Sequence, residues 1–214
     1  MKRTWLKWNI VPLVILVGGV LVGTRATMAQ SQSTTSTTQS SSSDPATIGQ
    51  RKENQQDRIA QGVKSGQLTP GETTSLEDKE AGLNHEISAD RAADGGKLTP
   101  AEKTQINGQQ NKLSNQIYSD KHNASSDHFG NSEVGQRQEN QQDRIAQGIK
   151  SGQLTPGEAG RVEGKETALN QQVRADRQEN GGKLTQGEKK QVNQEQNHLS
   201  KNIYRAKHNG RRGN

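Results

Sequence analysis

Five histidines carry the broadest side-chain chemistry in this chain: His85, His122, His128, His198 and His208. An imidazole can ligate a metal or move a proton, but either task needs further polar groups at fixed spacing. His122 and His208 occupy equivalent places, each within Lys-His-Asn and each four residues after a tyrosine, Tyr118 or Tyr204. That spacing predicts contact along one helix face and a cation beside a helix C-terminus. The other three histidines have no counterpart in the opposite copy. There is no cysteine, no nucleophile motif and no Gly-rich phosphate loop. Carboxylates are abundant and read as solvated charge on polar helix faces. No catalytic, cofactor-binding or metal-ligating residue follows from these patterns. No cofactor is expected, and the chain reads as non-enzymatic.

A second set of residues has chemistry aimed at the backbone. Thr69-Pro70-Gly71-Glu72, Thr99-Pro100-Ala101-Glu102, Thr155-Pro156-Gly157-Glu158 and Thr185-Gln186-Gly187-Glu188 share one spacing. In each, the threonine can accept from the N–H three residues on, while the glutamate reaches back to the threonine N–H. Thr69, Glu72, Thr99, Glu102, Thr155, Glu158, Thr185 and Glu188 are therefore predicted helix-capping residues. Proline at the first helical position loses no hydrogen bond. Gly66, Gly95, Gly96, Gly152, Gly181 and Gly182 supply left-handed residues that end the helices before them.

The elements that position these residues are duplicated. Ile48–Asn123 aligns without gaps on Val134–Asn209 at an offset of 86, with 48 of 76 positions identical. Glu53–Glu72 and Glu139–Glu158 differ only at Val63 against Ile149. Inside each copy Leu68-Thr69-Pro70-x-Glu72 recurs 30 residues later as Leu98-Thr99-Pro100-x-Glu102. Apolar spacings of 11, 7 and 4 fit helices and not strands. Each module is predicted to hold three helices, about 46–64, 70–92 and 100–121, with the second set shifted by 86. The expected core of one module is thin: Ile48, Ile59, Val63, Leu68, Leu76, Leu83, Ile87, Leu98, Ile106, Leu113, Ile117 and Tyr118. The fold class is all-α, two tandem three-helix modules in an elongated array.

The flanks set the compartment. Met1–Asn9 is basic, Ile10–Gly23 is an apolar run of 14 residues, and Thr27-Met28-Ala29 offers a small-residue cleavage site. Residues 1–29 read as a signal peptide, because 14 residues are too short to span the roughly 30 Å hydrocarbon core. No stable transmembrane span is expected after cleavage, and the chain is expected to be exported to the periplasm or the exterior. Residues 30–47 form a linker, in which Ser31–Ser43 holds 11 Ser/Thr and two Gln and has nothing apolar to bury. Module 1 is then 48–123, a second linker 124–133, module 2 134–209, and a basic tail 210–214. Four basic residues lie in the signal, so the mature chain has 25 basic and 23 acidic residues, and the pI of 9.6 does not indicate a nucleic-acid binder. Module 1 carries net −1 and module 2 net +4. Lys201, Arg205, Lys207, Arg211 and Arg212 form a basic C-terminal end suited to an anionic surface such as an envelope polymer or phospholipid headgroups.

Three resemblances follow from these motifs. The unit Arg58-Ile59-x-x-Gly62-x-x-Ser65-Gly66-x-Leu68-Thr69-Pro70-x-Glu72 resembles that of exported bacterial helical-repeat proteins of unknown function. It implies a helical fold and export, and brings no catalytic residues. The run Gly-x-Leu-Thr-x-x-Glu, four times over, resembles the second half of an EF-hand calcium loop, which implies a calcium-responsive module. The first half departs: of its twelve early ligand positions only Glu179 is acidic. Finally, 23 glycines and a mean hydropathy of −1.11 resemble the hydrophilins, which implies a stress protectant that works by staying hydrated. The leading expectation is an exported interaction or structural protein of the cell envelope or exterior.

Overall fold

The computed structural model describes residues 47–213. The expected signal peptide and most of the expected first linker lie outside the described residues. The described chain forms six α-helices and no strand: α1 Ile48–Ser65, α2 Pro70–Ala93, α3 Pro100–Lys121, α4 Glu133–Lys150, α5 Pro156–Glu179 and α6 Gln186–Lys207. Their starts follow capping chemistry. Besides the four threonines already named, Thr47 caps α1 in a box with Gln50, and Ser132 caps α4 by accepting from Gly135 N–H. Gly66 ends α1 at φ 70°, and Gly95 and Gly96 turn the chain after α2 at φ 63° and 90°. Only glycine adopts such angles without strain.

Within each module side chains fix the third helix on the first. Gln55 Nε2 donates to Gln110 O at 2.8 Å and to Ser114 Oγ at 2.9 Å, and Arg58 donates to Ser114 O at 3.0 Å. Gln141 and Arg144 repeat these bonds to Gln196, Ser200 Oγ and Ser200 O. Gln110 and Gln196 donate in turn to Ile48 O and Val134 O. Buried amides that satisfy helix carbonyls set the register of the packing as well as its strength.

The modules join through α2 against α5 and α1 against α4. Gly71 faces Thr167, Thr74 faces Gly164, Asp78 faces Gly160 and Ala81 faces Gly157, so α2 and α5 run antiparallel. Shifting any of these pairs by the repeat offset gives another of them. The contact is therefore self-complementary about a pseudo-two-fold at Leu76 and Val162, as in an isologous dimer interface. Small residues let the two backbones approach closely. One core spans both modules, including Ile59, Val63, Leu76, Ile117, Ile145, Ile149, Val162 and Ile203. Beyond about residue 82, α2 has no α5 opposite it. There Leu83, Ile87, Leu98 and Ile106 form a separate cluster with Ile48. At 1.5 Å per residue this stagger places the far ends of α2 and α5 roughly 50 Å apart, which makes the pair an elongated rod. Tyr118, expected in the core, is instead 61% exposed and stacks on His122.

Candidate functional site

The joint holds four glutamates where an apolar core is usual. Glu77 and Glu80 on α2, and Glu163 and Glu166 on α5, are each 0% exposed. The sequence reading placed carboxylates on solvated faces, and for these four the structure corrects it. Each occupies the inward face of its helix with Leu76, Leu83 and Ile87, or with Val162, Leu169 and Val173. A signal was present in the sequence: Glu77 and Glu80 fall at helical spacing from Leu76 and Leu83, and both recur in the second copy while residues 73–76 and 78 all change.

Few groups satisfy these carboxyls. Gln56 Nε2 donates to Glu77 Oε2 at 3.1 Å, and Gln142 Nε2 donates to Glu163 Oε2 at 2.9 Å. The other oxygen of each, and both oxygens of Glu80 and Glu166, have no hydrogen-bond partner among the described residues. An ionised carboxylate cannot be held so cheaply away from water, so the protonated form is favoured. Burial pushes Glu77 up to about 8, with the Gln56 hydrogen bond opposing and Glu80 adding. Burial pushes Glu80 up to about 7 against the pull of Lys52. Burial holds Glu163 well above the usual carboxylate range despite the Gln142 bond. Burial, with Asp127 adding, pushes Glu166 up to about 8. The two ends of the row differ. Lys52 has Gln138 as its counterpart, which bonds Asn170, while the second linker inserts Asp127, whose side chain is 6% exposed and 3.9 Å from Arg174. The acids are strung along the α2–α5 contact rather than converging. No group of three or more His, Cys, Asp or Glu that could hold a metal gathers among the described residues. The arrangement suits proton binding.

The predicted capping residues take up the following geometry. Glu72 Oε2 accepts from Thr69 N at 2.9 Å and from the Thr69 hydroxyl at 2.8 Å, while Thr69 Oγ1 accepts from Glu72 N at 3.3 Å. Glu102 with Thr99 and Glu188 with Thr185 form the same reciprocal pair. At Thr155 the carboxylate half is present, at 3.1 and 2.9 Å, and the Glu158 N–H bonds the Thr155 carbonyl at 2.9 Å. Sequence reasoning missed a third partner. Asn123 Nδ2 donates to Glu72 Oε1, and Asn209 Nδ2 to Glu158 Oε1, both at 2.6 Å. The chain leaving the third helix is thereby tied to the start of the second. Thr69→Ala is expected to destabilise the chain by about 0.5–2 kcal/mol, and adding Thr155→Ala to cost less than that again, because the Thr155 hydroxyl donates to Glu158 and accepts no backbone N–H. An unchanged melting temperature would show that these boxes hold nothing.

The same bonds bear on calcium. Both oxygens of Glu72 and Glu158, the residues at the EF-hand's bidentate position, are engaged within the protein. Titration calorimetry at millimolar calcium is expected to give no saturable heat, and stoichiometric heat abolished by Glu188→Ala would reverse that expectation.

The basic C-terminal end is divided. Lys201, Arg205 and Arg212 are exposed. Lys207 turns inward, its Nζ donating to Arg144 O at 3.2 Å. Arg211 lies 3.8 Å from Glu158 Oε1. The tail docks rather than hanging free: Gly213 N donates to Gly152 O at 2.9 Å, as Asp127 N does to Gly66 O. His122 and His208 stack on Tyr118 and Tyr204 with centroids 4.2 Å apart, and each Nδ1 lies 2.7 Å from the tyrosine carbonyl. No described helix is long and apolar enough to cross a membrane. Comparison with protein-family models, curated proteins and solved structures finds no match to this chain.

Proposed function

We propose that this chain is an exported, non-enzymatic interaction or structural protein of the cell envelope or exterior, acting as a short rod with two alike ends. The observation that carries this reading is the self-complementary joint at Leu76 and Val162. It fixes two copies of one module in opposite directions, so that surface residues the copies share are presented at both ends. The basic first nine residues, the apolar run and the small-residue site of residues 1–29 support export. The Ser/Thr-rich stretch would then act as a solvated tether.

Composition favours one second reading, a hydrophilin-like protectant, on the 23 glycines and mean hydropathy of −1.11. The packed helices support the interaction reading over it. Circular dichroism of the mature chain in dilute buffer separates the two. A helical spectrum with a cooperative melt supports the rod, and a coil spectrum that becomes helical only on drying supports the protectant. Cell fractionation with mass spectrometry tests export: the envelope or medium fraction is expected to hold a chain that begins after Ala29, and an intact chain confined to the cell interior would reject the reading.

A further inference from the structure

Each end of the rod carries an open cleft, and the two clefts occupy corresponding places under the repeat, sharing three of their four cations. The first, of 670 Å³, lies beside the start of α1 and the α2–α3 turn, with Arg51, Arg91, Lys97 and Lys103 around Ile48 and Leu98. The second, of 730 Å³, lies beside the start of α4 and the α5–α6 turn, with Arg177, Lys183, Lys189 and Lys190 around Val134 and Leu184. Arg91, Lys97 and Lys103 in one copy are Arg177, Lys183 and Lys189 in the other. The first cleft has no carboxylate in its lining, and the second has only Glu133.

These cations have no carboxylate partners. The ion pairs among the described residues are Arg174–Asp127 and Arg211–Glu158, and neither includes a cleft residue. Glu102 and Glu188 on the same turns are used elsewhere: Glu102 accepts from Thr99 N at 2.7 Å, and Glu188 accepts from Thr185 N at 2.7 Å and Asn180 Nδ2 at 2.8 Å, while Asp94 on the first turn lies against Glu102 rather than a cation. Four like charges around one concave, low-dielectric wall focus a positive potential that an anion would relieve. Lysines act as point charges for phosphate and arginines as planar forks for its oxygens. Arg51 in the first cleft, which also donates to Asn107 Oδ1 at 3.4 Å, and Arg177 in the second are half-buried, while Arg91 and the lysines stand at the rim, so a narrow strand that enters the cleft meets one more cation than a flat headgroup layer does.

We propose that these two clefts bind phosphate groups of a linear polyanion, one strand segment at each end, so that a single molecule bridges two segments roughly 50 Å apart. The C-terminal residues Lys201 and Arg205 do not contribute. The assignment deepens the interaction reading, but its measurement uses purified protein and so fails separately from the fractionation experiment.

The test is fluorescence anisotropy and calorimetry of the mature chain with short-chain linear polyphosphate. The expected stoichiometry is two sites per chain, with affinity falling more than about tenfold between roughly 50 and 200 mM salt. Lys97→Gln with Lys103→Gln is expected to reduce the stoichiometry from two to one and leave the remaining affinity unchanged. Adding Lys183→Gln and Lys189→Gln is expected to abolish binding, with an unchanged helical spectrum showing that the fold persists. Lys201→Gln with Arg205→Gln is expected to bind as wild type. Wild-type binding by the fourfold variant, or loss of binding in the Lys201/Arg205 variant, would overturn the assignment. So would binding to phosphatidylglycerol vesicles without binding to polyphosphate, since that would make a membrane surface the partner.

Discussion

Raising the pH from about 5 to about 8.5 is expected to lower the melting temperature of the wild-type chain, and Glu77→Gln with Glu163→Gln to remove a large part of that loss, the remainder belonging to Glu80 and Glu166. The four buried glutamates hold protons in the folded state that the unfolded chain releases near the ordinary value of 4.5. Groups raised in this way contribute their full stability below about pH 4.5, and the contribution is lost as pH rises through the folded values of about 7 to 8. For Glu77 alone the interval corresponds to on the order of 4–5 kcal/mol, at about 1.4 kcal/mol per unit. Neighbouring acids titrate together, so contributions along the row do not simply add. Glutamine keeps the shape and the neutral state at every pH. At pH 8.5 the double variant is expected to melt about 10 °C or more above wild type, at roughly 2–4 °C per kcal/mol for a chain of this size. Glu102, Glu158 and Glu188 act in the opposite sense. Hydrogen bonds from the capping backbone hold Glu102 and Glu188 below the ordinary value, and at Glu158 burial is outweighed by the bonds from Thr155 and Asn209 together with Arg211, so their contribution is lost as the solution becomes more acidic than that. Stability is thus expected to peak near pH 4–5. Equal melting temperatures at both pH values, or an equal pH slope in variant and wild type, would mean that the row meets water or a cation in solution.

Leu76→Ala is expected to destabilise both modules together. Leu76 is 0% exposed at the pseudo-two-fold and belongs to the core that runs from Ile59 in one copy to Ile203 in the other. A truncated leucine leaves a cavity that the surrounding helices fill only in part, and the expected loss is about 2–5 kcal/mol. The informative readout is amide hydrogen exchange, which resolves where protection is lost. Protection is expected to fall in α5 as much as in α2, although the substitution lies in α2 alone. The cluster of Leu83, Ile87, Leu98 and Ile106, which is separate from the main core, is expected to retain more of its protection. A loss confined to the first module would show that the joint contributes little and that the copies fold as independent bodies.

Much of the local structure was legible in the sequence because local chemistry sets it. The spacing of Thr69 to Glu72 and its three relatives marks helix starts, since a hydroxyl and a carboxylate three residues apart can close on the free N–H groups of one turn. The helices α2, α3, α5 and α6 begin one residue after those threonines. The stacking of His122 on Tyr118 follows from a four-residue spacing in the same way.

The site was less legible, because burial is a property of the partner surface as well as of the residue. Glu77 and Glu80 lie beside Leu76 and Leu83 in helical projection, yet nothing in one helix says that a second copy of the module will cover that face. Asn123 reaches Glu72 only because the third helix returns to the start of the second. Lys207 was counted with the outward cations, and its ammonium instead reaches a carbonyl of Arg144 across the fold.

The amino-acid sequence by itself determined six helices, the caps of four of them, their repeated grouping in threes and the residues that could form a thin core. Those features depend on contacts between residues a few places apart or on plain repetition. Tertiary structure decided the antiparallel pairing of α2 with α5, the four proton-holding glutamates enclosed by it, and the placement of two corresponding basic clefts at opposite ends of the rod. Each of these depends on which helix faces are brought together. That choice is made by complementary shape at the small residues Gly71, Thr74, Gly160 and Gly164, where missing side-chain volume lets two helices approach closely enough to exclude water.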